Sequence, residues 1–275
     1  QGNVVVTWGG LDGDCGNYHG YVETVTEATG KVAAVWQNTP NDNEGGIWTP
    51  AGPAVDAAGD IFVASGNGST TNIGAYDDAN SVTKLSPGLM RLSFFAPGPP
   101  QQWTALNASD NDLGSTSPAL LSNGLLFQIG KGGRGYLLSQ SQLPNNSNPG
   151  GGEAASLQVC DKNSFAALSG VAVAGSMVFV PCVDGIAAVS VESPTAMHRV
   201  WYSAAGSSAP IVAGGVVWSA ILYGGTTLYG LDPANGNVVA QLNLGNTTMH
   251  FATPAAANGR LYMAAGSTLL AFAPH

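Results

Sequence analysis

Pro118-Ala-Leu-Leu-Ser-Asn-Gly124, followed at once by Leu-Leu-Phe-Gln-Ile129, is a short apolar stretch, a glycine turn and a second, wholly apolar stretch. Neither stretch is long enough for a helix, and a brief apolar run bounded by turn residues reads as a buried strand. The same phrase recurs. Pro53-Ala-Val-Asp-Ala-Ala-Gly59 precedes IFVAS, Gly170-Val-Ala-Val-Ala-Gly175 precedes MVFV, Pro210-Ile-Val-Ala-Gly-Gly215 precedes VVWSA, and Pro254-Ala-Ala-Ala-Asn-Gly259 precedes LYMAA. Successive copies start 65, 52, 40 and 44 residues apart. A basal period of about 40–45 residues built from strands and glycine turns predicts an all-β fold, a β-propeller of four-stranded blades.

A second phrase fills the other half of the repeat. GYVETVTEATGKVAAVW (20–36) and TLYGLDPANGNVVAQL (227–242) each place two strands around a Thr-Gly or Asn-Gly pair, which supplies the positive φ of a tight hairpin. Six blades are predicted in this chain, at about 1–40, 52–106, 115–160, 169–203, 207–245 and 251–275, within a single domain. The segments 66–80 and 140–155 read as inserted loops rich in Gly, Asn and Ser. The first blade is expected to lack its inner strand and the last its outer one. The expectation is therefore a complete ring of seven or eight blades, with N-terminal chain absent here or a partner protein closing the ring.

Composition narrows the function classes. With 8 Lys+Arg against 17 Asp+Glu and a net charge of −9, there is no clustered cationic surface for nucleic acid or an anionic membrane. No apolar run approaches the roughly 20 residues of a membrane-spanning helix. The acidic, Lys-poor composition points to a secreted, extracellular or periplasmic protein. Cys160 and Cys182 flank one turn and one strand, and a disulfide between them is expected, the alternative being two buried thiols. Cys15 is then left over, its partner unassigned. Asn67, Asn107, Asn145 and Asn246 stand in N-x-S/T sequences, which matter only in a host that glycosylates them.

TGKVAAVW and LYGLDPANGNVV resemble the pyrroloquinoline-quinone (PQQ)-type propeller repeat. Phrases such as GDCGNYHG (13–20), GGIW (45–48), VASGNG (63–68), GKGGRGYLL (130–138) and VPCVDG (180–185) resemble a group of secreted bacterial propellers in that superfamily. The resemblance implies an eight-bladed ring more often than a six-bladed one. It does not imply the quinone, because the superfamily holds both dehydrogenases and cofactor-free assembly scaffolds.

A quinoprotein dehydrogenase needs a Ca²⁺ ion held by oxygen ligands, a carboxylate base, a basic residue near the quinone and flat packing surfaces. The adjacent-cysteine disulfide typical of the alcohol-oxidising subclass is absent from this sequence. Glu44, Lys131, Arg134 and His250 are the candidates to line a channel mouth and bind a ligand. Asp12, Asp14, Asp110 and Asp112 are the candidate metal ligands, with Asp77 and Asp78 in a further acidic turn. Each has a plain structural alternative, a solvated turn for the cations and an Asx turn for the carboxylates. No two histidines have zinc-ligand spacing, and no nucleophile elbow is present. The six tryptophans, spread mostly one per blade, are expected to pack between blades. The leading expectation is a non-catalytic binding or assembly scaffold without cofactor. The alternative is a PQQ- and Ca²⁺-dependent dehydrogenase of alcohols or sugars, and a polysaccharide hydrolase or lyase is the third reading.

Overall fold

The computed structural model of the chain describes residues 2–10 and 16–273. Asp12, Asp14 and Cys15 lie outside the described residues. Six antiparallel sheets follow one another along the chain, each with its strands in sequence order. The first holds β1 (Asn3–Trp8), β2 (Tyr21–Thr26) and β3 (Val32–Gln37). The second holds β4 (Ala54–Val55), β5 (Ile61–Ala64), β6 (Val82–Leu85) and β7 (Arg91–Phe95), and a short helix α1 (Trp103–Ala108) follows it. The third holds β8 (Ala119–Leu120), β9 (Leu125–Gln128), β10 (Arg134–Ser139) and β11 (Ala155–Gln158). The fourth holds β12 (Ala172–Ala174), β13 (Met177–Cys182), β14 (Gly185–Ser193) and β15 (Ala196–Ser203). The fifth holds β16 (Ile211–Ala213), β17 (Val216–Ala220), β18 (Thr227–Leu231) and β19 (Val238–Asn243). The sixth holds β20 (Ala255–Ala257), β21 (Arg260–Ala265) and β22 (Thr268–Phe272).

The repeated phrase forms the first two strands of the second to sixth sheets. Its closing glycine sits at the turn in every copy, with φ of 88° at Gly59, 78° at Gly124, 61° at Gly175, 75° at Gly215 and 71° at Gly259. A side chain disfavours that region, so glycine is the residue that lets the hairpin close.

The strands of the inner sheets are apolar on both faces because each sheet packs against two neighbours. In β9, Leu126 faces the second sheet beside Phe62, Val82 and Phe95, while Phe127 faces the fourth beside Val178, Val180 and Val189. A strand buried on both faces needs no polar alternation, which explains continuous runs such as LLFQI and MVFV. Equivalent clusters join the first sheet to the second through Val22, Ile47, Val63 and Leu85, and the fourth to the fifth through Phe179, Trp201 and Leu231. Ala220, Leu228, Met263 and Ala265 join the fifth to the sixth. Among the described residues, none of these clusters joins the sixth sheet back to the first.

The outward faces of those two sheets are consequently bare. On the first, Val4, Trp8 and Val35 share the face opposite Val22 and are about half exposed. On the sixth, Leu269 lies on the face opposite Met263 and is 72% exposed, with Ala255, Ala264 and Ala271 exposed beside it.

Cys160 and Cys182 are joined in a disulfide. It ties the segment after β11 to the end of β13, and so the third sheet to the fourth. Among the described residues no helix is long and apolar enough to cross a membrane.

The tryptophans divide by role. Trp36, Trp201 and Trp218 pack between sheets as expected. Trp8 is exposed, and Trp48 faces a lysine instead of a neighbouring strand.

Candidate functional site

The inner segments of the first four sheets are laced together by backbone hydrogen bonds. Gly66 N–H donates to Gly46 O, Gly114 N–H to Ser65 O, Lys131 N–H to Asp112 O and Ala166 N–H to Lys131 O. Side chains on these segments converge because the backbones beneath them are in contact.

Glu44 ends a tight turn with φ of 71°. Buried Asn38 secures the turn by donating from Nδ2 to Gly45 O at 2.7 Å, and Thr39 Oγ1 donates to Glu44 O at 2.8 Å. The sequence reading expects an inner strand directly after Glu44. The structure has only isolated bridges there, to His19 and Gly68, and the next regular strand is β4. Glu44 Oε2 accepts from Asn67 Nδ2 at 2.9 Å, and Asn67 N–H donates to Asp112 Oδ1 at 2.7 Å.

Asp112 is fully buried, and Lys131 is 4% exposed. The Lys131 ammonium stands 2.5 Å from Asp112 Oδ2 as an ion pair, although that oxygen takes no hydrogen bond of regular geometry. It also donates to Asp110 Oδ1 at 2.9 Å. The centres of two aromatic rings lie near the same ammonium, Phe165 at 4.5 Å and Trp48 at 5.2 Å. Cation–π attraction strengthens when the cation is desolvated.

Burial pushes the Asp112 carboxyl up to about 6, against the lowering effects of Lys131 and the Asn67 N–H. For Lys131, burial works against the charge, but the Asp112 and Asp110 carboxylates outweigh it and hold the pKa above the ordinary lysine value. The cluster is thus an ammonium clasped by two carboxylates under aromatic cover, with a third carboxylate, Glu44, reached through Asn67.

The sequence-derived candidates divide into separate places. Glu44, Asp110, Asp112 and Lys131 come together. Arg134 starts β10 and donates from Nη1 to Ser156 Oγ at 3.1 Å. His250 lies among loop residues five positions before β20, where an inner-strand start is expected from the sequence. It stacks on Tyr223 and Phe251 and shares a hydrogen bond with the Tyr223 hydroxyl at 3.1 Å. Asp77 accepts the N–H groups of Asn41 and Asp42, and Asp78 pairs with Arg91. Asn67, Trp48 and Phe165 belong to the cluster without having been singled out for chemistry. Asn67 and Trp48 stand inside the repeat-family phrases VASGNG and GGIW, whereas nothing in the local sequence marks Phe165.

For a calcium–quinone pair, the oxygen donors of Glu44 and Asn67 and the plane of Trp48 are of the right kind, but the fit is incomplete. Asp110 and Asp112 already neutralise Lys131. Among the described residues, no group of three His, Cys, Asp or Glu side chains is placed to hold a metal ion.

No family model and no curated protein matches this chain. Solved structures do. The quinohemoprotein alcohol dehydrogenase ADHIIG from Pseudomonas putida HK5 superposes with a TM-score of 0.64 at 14% identity, over 95% of this chain and 54% of that one. A europium-containing methanol dehydrogenase gives 0.63 at 15% identity, over 96% of this chain and 63% of that one. BamB from Moraxella catarrhalis gives 0.51 at 10% identity, over 98% and 78%. These likenesses establish the fold, a β-propeller of the type found in quinoprotein dehydrogenases and BamB. The chain spans about half the length of the alcohol dehydrogenase.

Proposed function

We propose that this chain serves as a non-catalytic β-propeller scaffold that binds another protein, in the periplasm or outside the cell. The observation carrying this reading is the pair of bare apolar faces on the first and sixth sheets, where Val4, Trp8, Val35 and Leu269 stand exposed in positions that inner sheets bury. Glu23 shares the first face with Val35, and Arg260 the sixth with Leu269, but exposed valine, tryptophan and leucine side chains grouped in this way mark contact sites. The most natural cover is β-sheet, which can pack face to face as the inner sheets do, either from a partner protein or from a longer form of this chain. The Cys160–Cys182 disulfide suits an oxidising compartment.

One observation favours a second reading, a PQQ-dependent dehydrogenase of alcohols or sugars. Trp48, Asn67, Glu44 and Lys131 gather at one place around an aspartate whose pKa is lifted toward neutrality. In that reading Glu44 and Asn67 would hold the Ca²⁺ and Trp48 would pack against the quinone. The bound pair would supply electrophilic and redox chemistry.

Titration with PQQ and Ca²⁺, followed by absorbance, separates the two. The scaffold reading predicts no stoichiometric uptake. Saturable uptake, bleached by an alcohol or a sugar, would overturn it.

A further inference from the structure

Of the eight basic side chains, four are paired with carboxylates. Lys84 pairs with Asp60, Arg91 with Asp78, Lys131 with Asp110 and Asp112, and Arg199 with Asp161. Lys31, Lys162 and Arg260 have no such partner among the described residues, but all three are exposed to water. Arg134 is the exception. It is partly buried, its Nε–H is sealed from solvent and donates no hydrogen bond, and no carboxylate lies within ion-pair distance among the described residues. In a protein of net charge −9, a part-buried cation without an anion is out of keeping with the rest of the molecule.

Arg134 also lines a cavity of about 430 Å³ together with Pro100, Gln101, Gln158, Asp161 and Asn163. The walls are held from behind. Gln101 and Gln158 both donate from Nε2 to Gly132 O, at 2.9 and 3.1 Å, and Gln158 also reaches Cys160 O and Lys162 O. Ser156 fixes one Nη of the guanidinium. Asp161 is charge-compensated by Arg199 at 2.7 Å, so it offers acceptor oxygens without setting an uncompensated negative charge against an anion. Asn163 at the rim is exposed and offers both a donor and an acceptor.

We infer that this cleft is a binding site for a small carboxylate that carries hydroxyl groups, of the sugar-acid class. Arg134 takes the carboxylate, and Asn163 and Asp161 take the hydroxyls. A guanidinium matches the planar, two-oxygen geometry of a carboxylate better than any other side chain. The volume lies in the range of small-ligand pockets. The site is separate from the Lys131 cluster and holds whether or not the scaffold reading does.

D-glucuronate is the probe, with D-glucose and sulfate as controls, and binding is read by calorimetry and by the shift in Tm. Saturable binding of glucuronate at millimolar concentration or below is expected, weakened about tenfold or more by Arg134→Gln. Asn163→Ala, in an exposed loop position where folding is not at stake, is expected to weaken it a few-fold. Glucose is expected not to bind, and sulfate to bind less tightly than glucuronate. Absence of glucuronate binding would overturn the proposal, as would equal binding of glucose or of sulfate. An unchanged Kd in Asn163→Ala would overturn it even if Arg134→Gln did not fold.

Discussion

Lys131 and Asp112 meet where water does not reach, and each is tolerable there only because of the other. Removing one partner of a buried ion pair strands the other, at a cost of about 3–5 kcal/mol. Lys131→Met is therefore expected to lower stability by about that amount in chemical denaturation. Its pH dependence carries the more specific test. The folded Asp112 pKa of about 6 lies above the ordinary aspartate value of about 4. The folded state therefore binds the proton more tightly, and Asp112 costs stability as pH rises from about 4 to about 6. Without Lys131 that pKa climbs further, so the deficit of the variant is expected to grow as pH rises above 6. A deficit that shrank with rising pH would show that Asp112 is not the stranded group. Much of this site was open to sequence reading, since Glu44, Lys131, Asp110 and Asp112 all sit in Gly- or Asp-rich turns that advertise themselves. What the sequence did not disclose was the pairing. Lys131 and Asp112 are 19 positions apart and meet through backbone contact between segments, which no local pattern encodes. Arg134, in the same GKGGRG phrase as Lys131, and His250, before an expected inner strand, read from the sequence as residues of the same channel mouth, but the fold sends each elsewhere.

Between neighbouring sheets, one contact shows how the repeat becomes architecture. Trp201 on β15 reaches into the fifth sheet and donates from Nε1 to Pro233 O at 2.9 Å. Its ring lies against the turn at Gly236, whose φ is 74°, and a Cβ there would stand 2.5 Å from the ring. Gly236→Ala thus meets both a disfavoured backbone and a filled space. A loss of about 2 kcal/mol or more is expected by thermal or chemical denaturation, among the larger effects for a single added methyl. The disulfide acts between sheets as well. Its residues are 22 apart, so removing it with a Cys160→Ser, Cys182→Ser pair is expected to cost about 3 kcal/mol, chiefly through the unfolded chain. The hairpins that carry these contacts were legible, because alternating turn glycines and wholly apolar strands leave a periodic trace. The 44–48 segment reads as leading into a strand because its apolar Gly-Gly-Ile-Trp looks like one. In the fold it is held by turn and bridge contacts of Asn38, Thr39 and Gly68.

Taken together, six sheets stand in series, each buried against its neighbours, with apolar faces bare at the two ends. The repeat made the propeller architecture readable from the sequence, whereas the bare faces depend on which sheets meet. Substituting there should separate binding from folding. Val35→Asp and Leu269→Asp replace side chains that are 53% and 72% exposed. Each is expected to leave Tm within a degree or two, as surface changes usually do, while weakening capture of a protein partner. A large loss of Tm would mean that these faces are covered within the chain itself. Native mass spectrometry of the protein isolated from its own cells tests most directly whether another protein covers those faces. A complex in which a second polypeptide is held non-covalently beside the one that contains this 27.8 kDa sequence is the predicted result. A single polypeptide without a bound protein, or one whose only addition is a quinone and a metal ion, would contradict it.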